Sequence, residues 1–76
     1  MAWREDKVTV NIVEHLGVLG QYGKDSLEAN IVSWNDKPAK LDIRKWDADH
    51  DRCGKGITLT ENEAKLLLEI LKARYE

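Results

Sequence analysis

The sequence predicts an α+β domain in which four strands precede a single C-terminal helix, in the order β-β-β-β-α. Three observations carry that prediction. Apolar and polar residues alternate in four separate runs, Val8–Ile12, Leu27–Trp34, Lys40–Trp46 and Gly56–Leu59, at the period of half-buried strands. Clusters of Gly, Asn, Asp and Pro lie between the runs and supply turns. The last run leads into Thr60-Glu-Asn-Glu63 and a leucine-rich segment, the signature of a helix opened by a capping box.

Strand one continues from Ile12 through Leu19, with its alternation broken at Gly17. A bend or bulge there would let a long strand curve over a core. Residues 20–25 form the first turn. In strand two, Leu27, Ala29 and Ile31 share one face and Glu28, Asn30, Val32 and Trp34 the other; the aliphatic set is expected to form the core. Asn35-Asp-Lys-Pro38 turns the chain into strand three, where Leu41 and Ile43 oppose Lys40, Asp42, Arg44 and Trp46. Residues 47–54 connect to a short fourth strand. In the helix, Ala64, Leu67, Leu68, Leu71 and Tyr75 make an apolar stripe widened by Leu66, Ile70 and Ala73. So broad a stripe exceeds what one small sheet covers, and a twofold dimer is the expected solution.

A domain of 76 residues buries only roughly 60% of its unfolded surface, so an additional source of stability is expected. Cys53 is the only cysteine, which excludes an intrachain disulfide. With His15 and His50 it falls short of a structural zinc set. Self-association remains. The lone thiol and the lack of an apolar leader at the N-terminus point to a cytoplasmic protein without a membrane partner. Residues 1–7 are charged and are expected to be a mobile segment ahead of a single domain spanning 8–76. The net charge of −2 disfavours a strongly basic nucleic-acid face. Residues 37–55, however, hold six Lys/Arg against four Asp, a local excess of positive charge.

Several chemical motifs fail on inspection. Asp47-x-Asp49-x-Asp51 opens like a calcium loop, but Arg52 stands at the glycine position and Thr58 at the bidentate glutamate position. Gly54-Lys-Gly56 lacks the spacing of a phosphate-cradling loop. Cys53 and His50 form no assignable catalytic set, and a chain this short leaves scant room for a substrate pocket. No enzyme activity, cofactor, metal or small-molecule substrate is expected.

The informative residues are the tryptophans and their basic neighbours. Trp34 and Trp46 fall on the parity opposite the aliphatic residues of their strands, and a hairpin through residues 35–38 brings both to the face of Arg44. Rings beside a guanidinium can stack bases and hold phosphate. They serve a protein interface equally well, and periodicity does not separate the two.

Asp42-Ile43-Arg44 followed by an aromatic, then Gly54-Lys-Gly-Ile-Thr-Leu-Thr60 leading into a helix, resembles the transcriptional coactivator family of positive cofactor four. Its compact bacterial branch is closer still, through Ile12-Val-Glu-His-Leu-Gly-Val-Leu19, Asn30-Ile-Val-Ser-Trp-Asn35 and Asp42-Ile-Arg44-x-Trp46. The resemblance implies an antiparallel, curved four-stranded sheet, a homodimer built around the C-terminal helices, and binding of single-stranded DNA on the sheet, in support of transcription, replication or repair. It carries binding roles to Arg44 and Lys55 and aromatic roles to Trp34 and Trp46; Lys37 and Lys40 join them from their place on the hairpin. Leu67, Leu71 and Tyr75 are the expected dimer contacts. Single-stranded RNA, or a peptide bound by a dimeric interaction domain, are the alternatives for the same face. In a bacterium the protein would be nucleoid-associated.

Overall fold

A computed structural model describes residues 9–76; the segment expected to be mobile, including Trp3, and the expected start of strand one at Val8 lie outside the described residues. Strands β1 (Val10–Tyr22), β2 (Asp25–Trp34), β3 (Lys40–Trp46) and β4 (Cys53–Leu59) precede helix α1 (Glu61–Tyr75). The strands form one curved antiparallel sheet in chain order. The expected α+β order is therefore observed. Two boundaries differ from expectation. The first turn shrinks to Gly23-Lys24, with φ of +65° at Gly23, as two-residue hairpin loops favour. Strand β4 starts three residues early, at Cys53, because Trp46 pairs with Cys53 across an irregular register.

Curvature originates in β1. Its pairing with β2 shifts between Ile12 and Glu14, again between His15 and Gly17, and again between Val18 and Gly20. Each bulge adds one residue to β1 and increases local twist. Only the middle one coincides with the irregularity at Gly17. The β2–β3 turn places Asn35 at φ 53° and Asp36 at φ 63°, and Lys37 N donates to Trp34 O at 3.0 Å. Positive φ at both central positions matches the twist of the flanking strands, and Asn and Asp tolerate it. Asn35 also ties this turn to the start of β1, donating to Thr9 O and accepting from Thr9 N.

Helix α1 begins as its sequence dictates. Thr60 Oγ1 accepts from Glu63 N at 3.1 Å while Thr60 N donates to Glu63 Oε1 at 2.8 Å, closing the capping box. The helix lies against β3 and β4. Ile43, Ile57 and Leu59 of the sheet and Leu66, Leu67 and Ile70 of the helix line an apolar groove of about 300 Å³ between them.

The core lies on the face opposite to expectation. Leu27, Ala29, Ile31, Leu41 and Ile43 are only half-buried, since one helix resting on two strands cannot cover a four-stranded sheet. Full burial falls on Val32, Asn30, Asp42, Glu28 and Trp46. Register explains their grouping: Asn30 pairs with Asp42, Glu28 with Arg44, and Asp42 with Thr58, so these side chains share one face. Sheet curvature and the connection between β3 and β4 then close over them.

Candidate functional site

Asp42 anchors one half of this face. Its carboxylate, with no exposed surface, accepts from Arg44 Nε at 2.7 Å and from Thr58 Oγ1 at 2.8 Å. Arg44 Nη1 donates to Gly54 O at 3.2 Å, and the guanidinium carbon lies 4.7 Å from the centre of the Trp34 ring, within cation–π range. Burial works against the charged guanidinium, but the hydrogen bond and charge of Asp42, with a smaller contribution from Cys53, outweigh it and raise the Arg44 pKa. Gly56 allows the close crossing, because a Cβ there would overlap the Arg44 Cβ and the Ile43 carbonyl oxygen.

Glu28 anchors the other half. Its carboxylate accepts from Ser26 Oγ at 2.5 Å, from Asn30 Nδ2 at 3.2 Å, and from His50 Nε2 at 3.0 and 2.9 Å to its two oxygens. His15 Nδ1 donates to Asn30 Oδ1 at 2.6 Å. Burial pushes the Glu28 carboxyl up, but the bonds from Ser26, Asn30 and His50, with the charge of His50, outweigh it and hold the carboxyl below its ordinary value. A buried carboxylate is retained at low cost only where its lone pairs are met in this way.

His50 reaches Glu28 from 22 residues away because of Asp47. The Asp47 carboxylate accepts from the backbone amides of Asp51 and Arg52 at 2.9 and 3.1 Å. Its main chain pairs with His50 N and Arg52 O. The acidic connection is thus a compact turn in which Asp47 serves backbone amides. His50 adopts φ 58°, which returns its ring across the sheet, where it stacks on Trp46 with centroids 5.7 Å apart and planes at 29°.

The expected site residues are accordingly divided. Trp34 and Arg44 do come together, but Arg44 is largely internal, with 15% of its side chain exposed. Trp46 is 3% exposed, beneath His50, so the expectation of an open stacking ring at Trp46 is corrected. Among the described residues, the buried indole N–H groups of Trp34 and Trp46 have no hydrogen-bond partner, a cost a face optimised for stability alone would avoid. Lys37, Lys40 and Lys55 are exposed. Lys40 occupies the end of the shared face, opposite Val32. On the helix, Leu67 is half-buried, whereas Leu71 and Tyr75 are exposed at 42% and 76%.

Sequence reasoning missed Glu28, Asn30, His15, His50 and Thr58. Polar residues alternating with aliphatic ones look like a solvated strand face, and no local signal links position 50 to position 28. It also missed an open groove of about 380 Å³ lined by Val10, Ile12, Trp46, His50, Asp51 and Cys53, more room than the length of the chain suggests. His50 Nε2 is committed to Glu28 there, and among the described residues no hydrogen bond joins it to the exposed Cys53 thiol. Cys53 and His50 therefore form no nucleophile–base pair with each other in this structure.

Comparison with known proteins agrees with this architecture. The family model for Transcriptional Coactivator p15 (PC4) matches residues 24–70, the span from the first hairpin through most of α1. An uncharacterized protein of Treponema pallidum (strain Nichols) is 38% identical over 69 residues, covering 90% of this chain and 81% of that protein.

Proposed function

Because the chain belongs to the Transcriptional Coactivator p15 (PC4) family and so has a nucleic-acid-binding, coactivator-like character, we propose that it is a homodimeric single-stranded DNA-binding protein with little sequence preference, acting in transcription, replication or repair. The observation that carries this reading is the shared sheet face. Lys40 and Trp34, the latter under the Arg44 guanidinium, lie on it, and His50 folds over it above the covered Trp46, a combination of cation and ring that can hold a backbone electrostatically and bases by stacking. Lys37 and Lys55, both exposed, add charge that can meet phosphate. Arg44 contributes by fixing Trp34 more than by free phosphate contact.

The dimer is supported by α1. No residue of this helix is buried, and Leu66, Leu68, Ile70, Leu71 and Tyr75 all stand exposed. An apolar surface of this kind on a small domain calls for a partner, and a second copy meets it with the same helix. Membership of a nucleic-acid-binding, non-enzymatic domain family supports reading the chain as a binding module. Among the described residues no helix is long and apolar enough to cross a membrane. We place the protein in the cytoplasm, associated with the nucleoid in a bacterium.

Anisotropy of a labelled oligo-dT at low salt tests the reading. Saturable binding that unlabelled duplex of equal length does not displace is the expected result. Displacement by oligo-rU at equal concentration would move the assignment to RNA, and no binding at low salt would refute it.

A further inference from the structure

We propose that His50 is the base-stacking ring of this face, with Trp46 as the layer beneath it. The inference rests on the nucleic-acid reading above and names the residue that touches the base. Trp46 is covered, whereas 41% of the His50 side chain is open. The imidazole has its inner side against the indole, and it lines the groove with Val10 and Ile12. A flat ring beside aliphatic side chains suits a base. Histidine is among the side chains on which unstacked bases rest.

Two further observations separate this arrangement from a loop that merely packs. First, the ring is fixed. His50 Nε2 meets both oxygens of a carboxylate that is 3% exposed and also held by Ser26 and Asn30. A ring fixed before binding loses little rotamer freedom when a base arrives. Second, the turn that carries the ring is itself fixed: His50 N donates to Asp47 O at 3.0 Å, and the Asp47 carboxylate accepts from the amides of Asp51 and Arg52, with His50 in the left-handed region at φ 58°, which histidine takes more readily than most non-glycine residues.

The charges of the groove say which part of a nucleotide it receives. Asp51 lines it beside His50, and an exposed carboxylate repels phosphate. The phosphates therefore follow the exposed lysines, and the base turns inward to the imidazole. A thymine, cytosine or purine ring each presents a flat face to such a platform, in keeping with weak sequence preference.

The test compares wild type, His50→Ala and His50→Phe on two strands of equal length and backbone charge, oligo-dT and an oligonucleotide of abasic sites. His50→Phe keeps a ring but cannot bond to Glu28. The expected result is roughly tenfold weaker oligo-dT binding by His50→Ala, within the range measured for loss of one stacked base, with at least half of that loss on the logarithmic scale restored by His50→Phe. On the abasic strand His50→Ala and wild type should bind alike. The proposal is overturned if His50→Ala binds oligo-dT as well as or better than wild type, which would make Trp46 the platform and His50 its cover. It is equally overturned if the loss is the same on both strands or if His50→Phe restores nothing, since either result gives His50 a supporting or charged role. Failure of wild type to bind oligo-dT would refute the broader reading as well, and is distinguished by appearing before any substitution.

Discussion

Asp42→Ala is the substitution that most directly questions the buried polar core. It removes the acceptors of Arg44 Nε and Thr58 Oγ1 at once. Breaking a buried ion pair from one side costs about 3–5 kcal/mol, because the other charge stays behind. Arg44 would retain Gly54 O and the Trp34 ring, and part of its side chain reaches solvent, so the lower end applies, about 3 kcal/mol. At roughly 0.05–0.15 kcal/mol per residue, a domain of this size holds about 4–11 kcal/mol in total. The variant should therefore lose a large fraction of its stability. Asp42→Asn keeps one acceptor, and its amide can donate to the rotated Thr58 hydroxyl; its cost should be about 1–2 kcal/mol. Urea unfolding followed by tryptophan fluorescence measures both, at one protein concentration, since association would otherwise enter the comparison. A loss below about 1 kcal/mol for Asp42→Ala would refute the claim that this pair holds the face together.

Gly56→Ala should destabilise by at least about 1–3 kcal/mol, the usual cost of overpacking, because its Cβ meets Arg44 and the Ile43 carbonyl oxygen; an unchanged urea midpoint would contradict that crossing. The Glu28 carboxyl is held below its ordinary value of 4.5, so its contribution to stability is fully present above pH 4.5 and is lost as pH falls through the lower folded value. Unfolding midpoints measured down the acid range should show this loss in wild type, and Glu28→Gln should flatten it; equal acid sensitivity in the two proteins would remove Glu28 as the cause. Leu71→Lys places charge on the exposed helix face and should shift sedimentation from dimer to monomer with the helical signal retained, whereas an unchanged sedimentation coefficient would put the interface elsewhere.

Most of the fold was legible because its local signals agree. The capping box at Thr60, the alternation in β2 and β3, and the Asn35-Asp36 turn each have a short-range cause, and each stands where the sequence placed it. The core face was not legible. Leu27, Ala29 and Ile31 carry the ordinary signature of a buried face, yet burial is decided by what covers a strand. One helix covers only β3 and β4, while three bulges in β1 and the return of His50 cover the polar side. The candidate face was half legible: Trp34 and Arg44 meet as their parity requires, and Trp46 shares that parity. What parity cannot show is that His50, held in place by Asp47 and Glu28, lies over Trp46.

The central claim is that a charged and aromatic sheet face binds single strands, and the salt dependence of oligo-dT binding tests it most directly. Plotted as log affinity against log salt, wild type should give a negative slope, of about 0.7 for each phosphate neutralised on a single strand. Lys40→Ala should make that slope shallower by about one such contact. A wild-type slope near zero, or a slope unchanged by the loss of Lys40, would contradict the account.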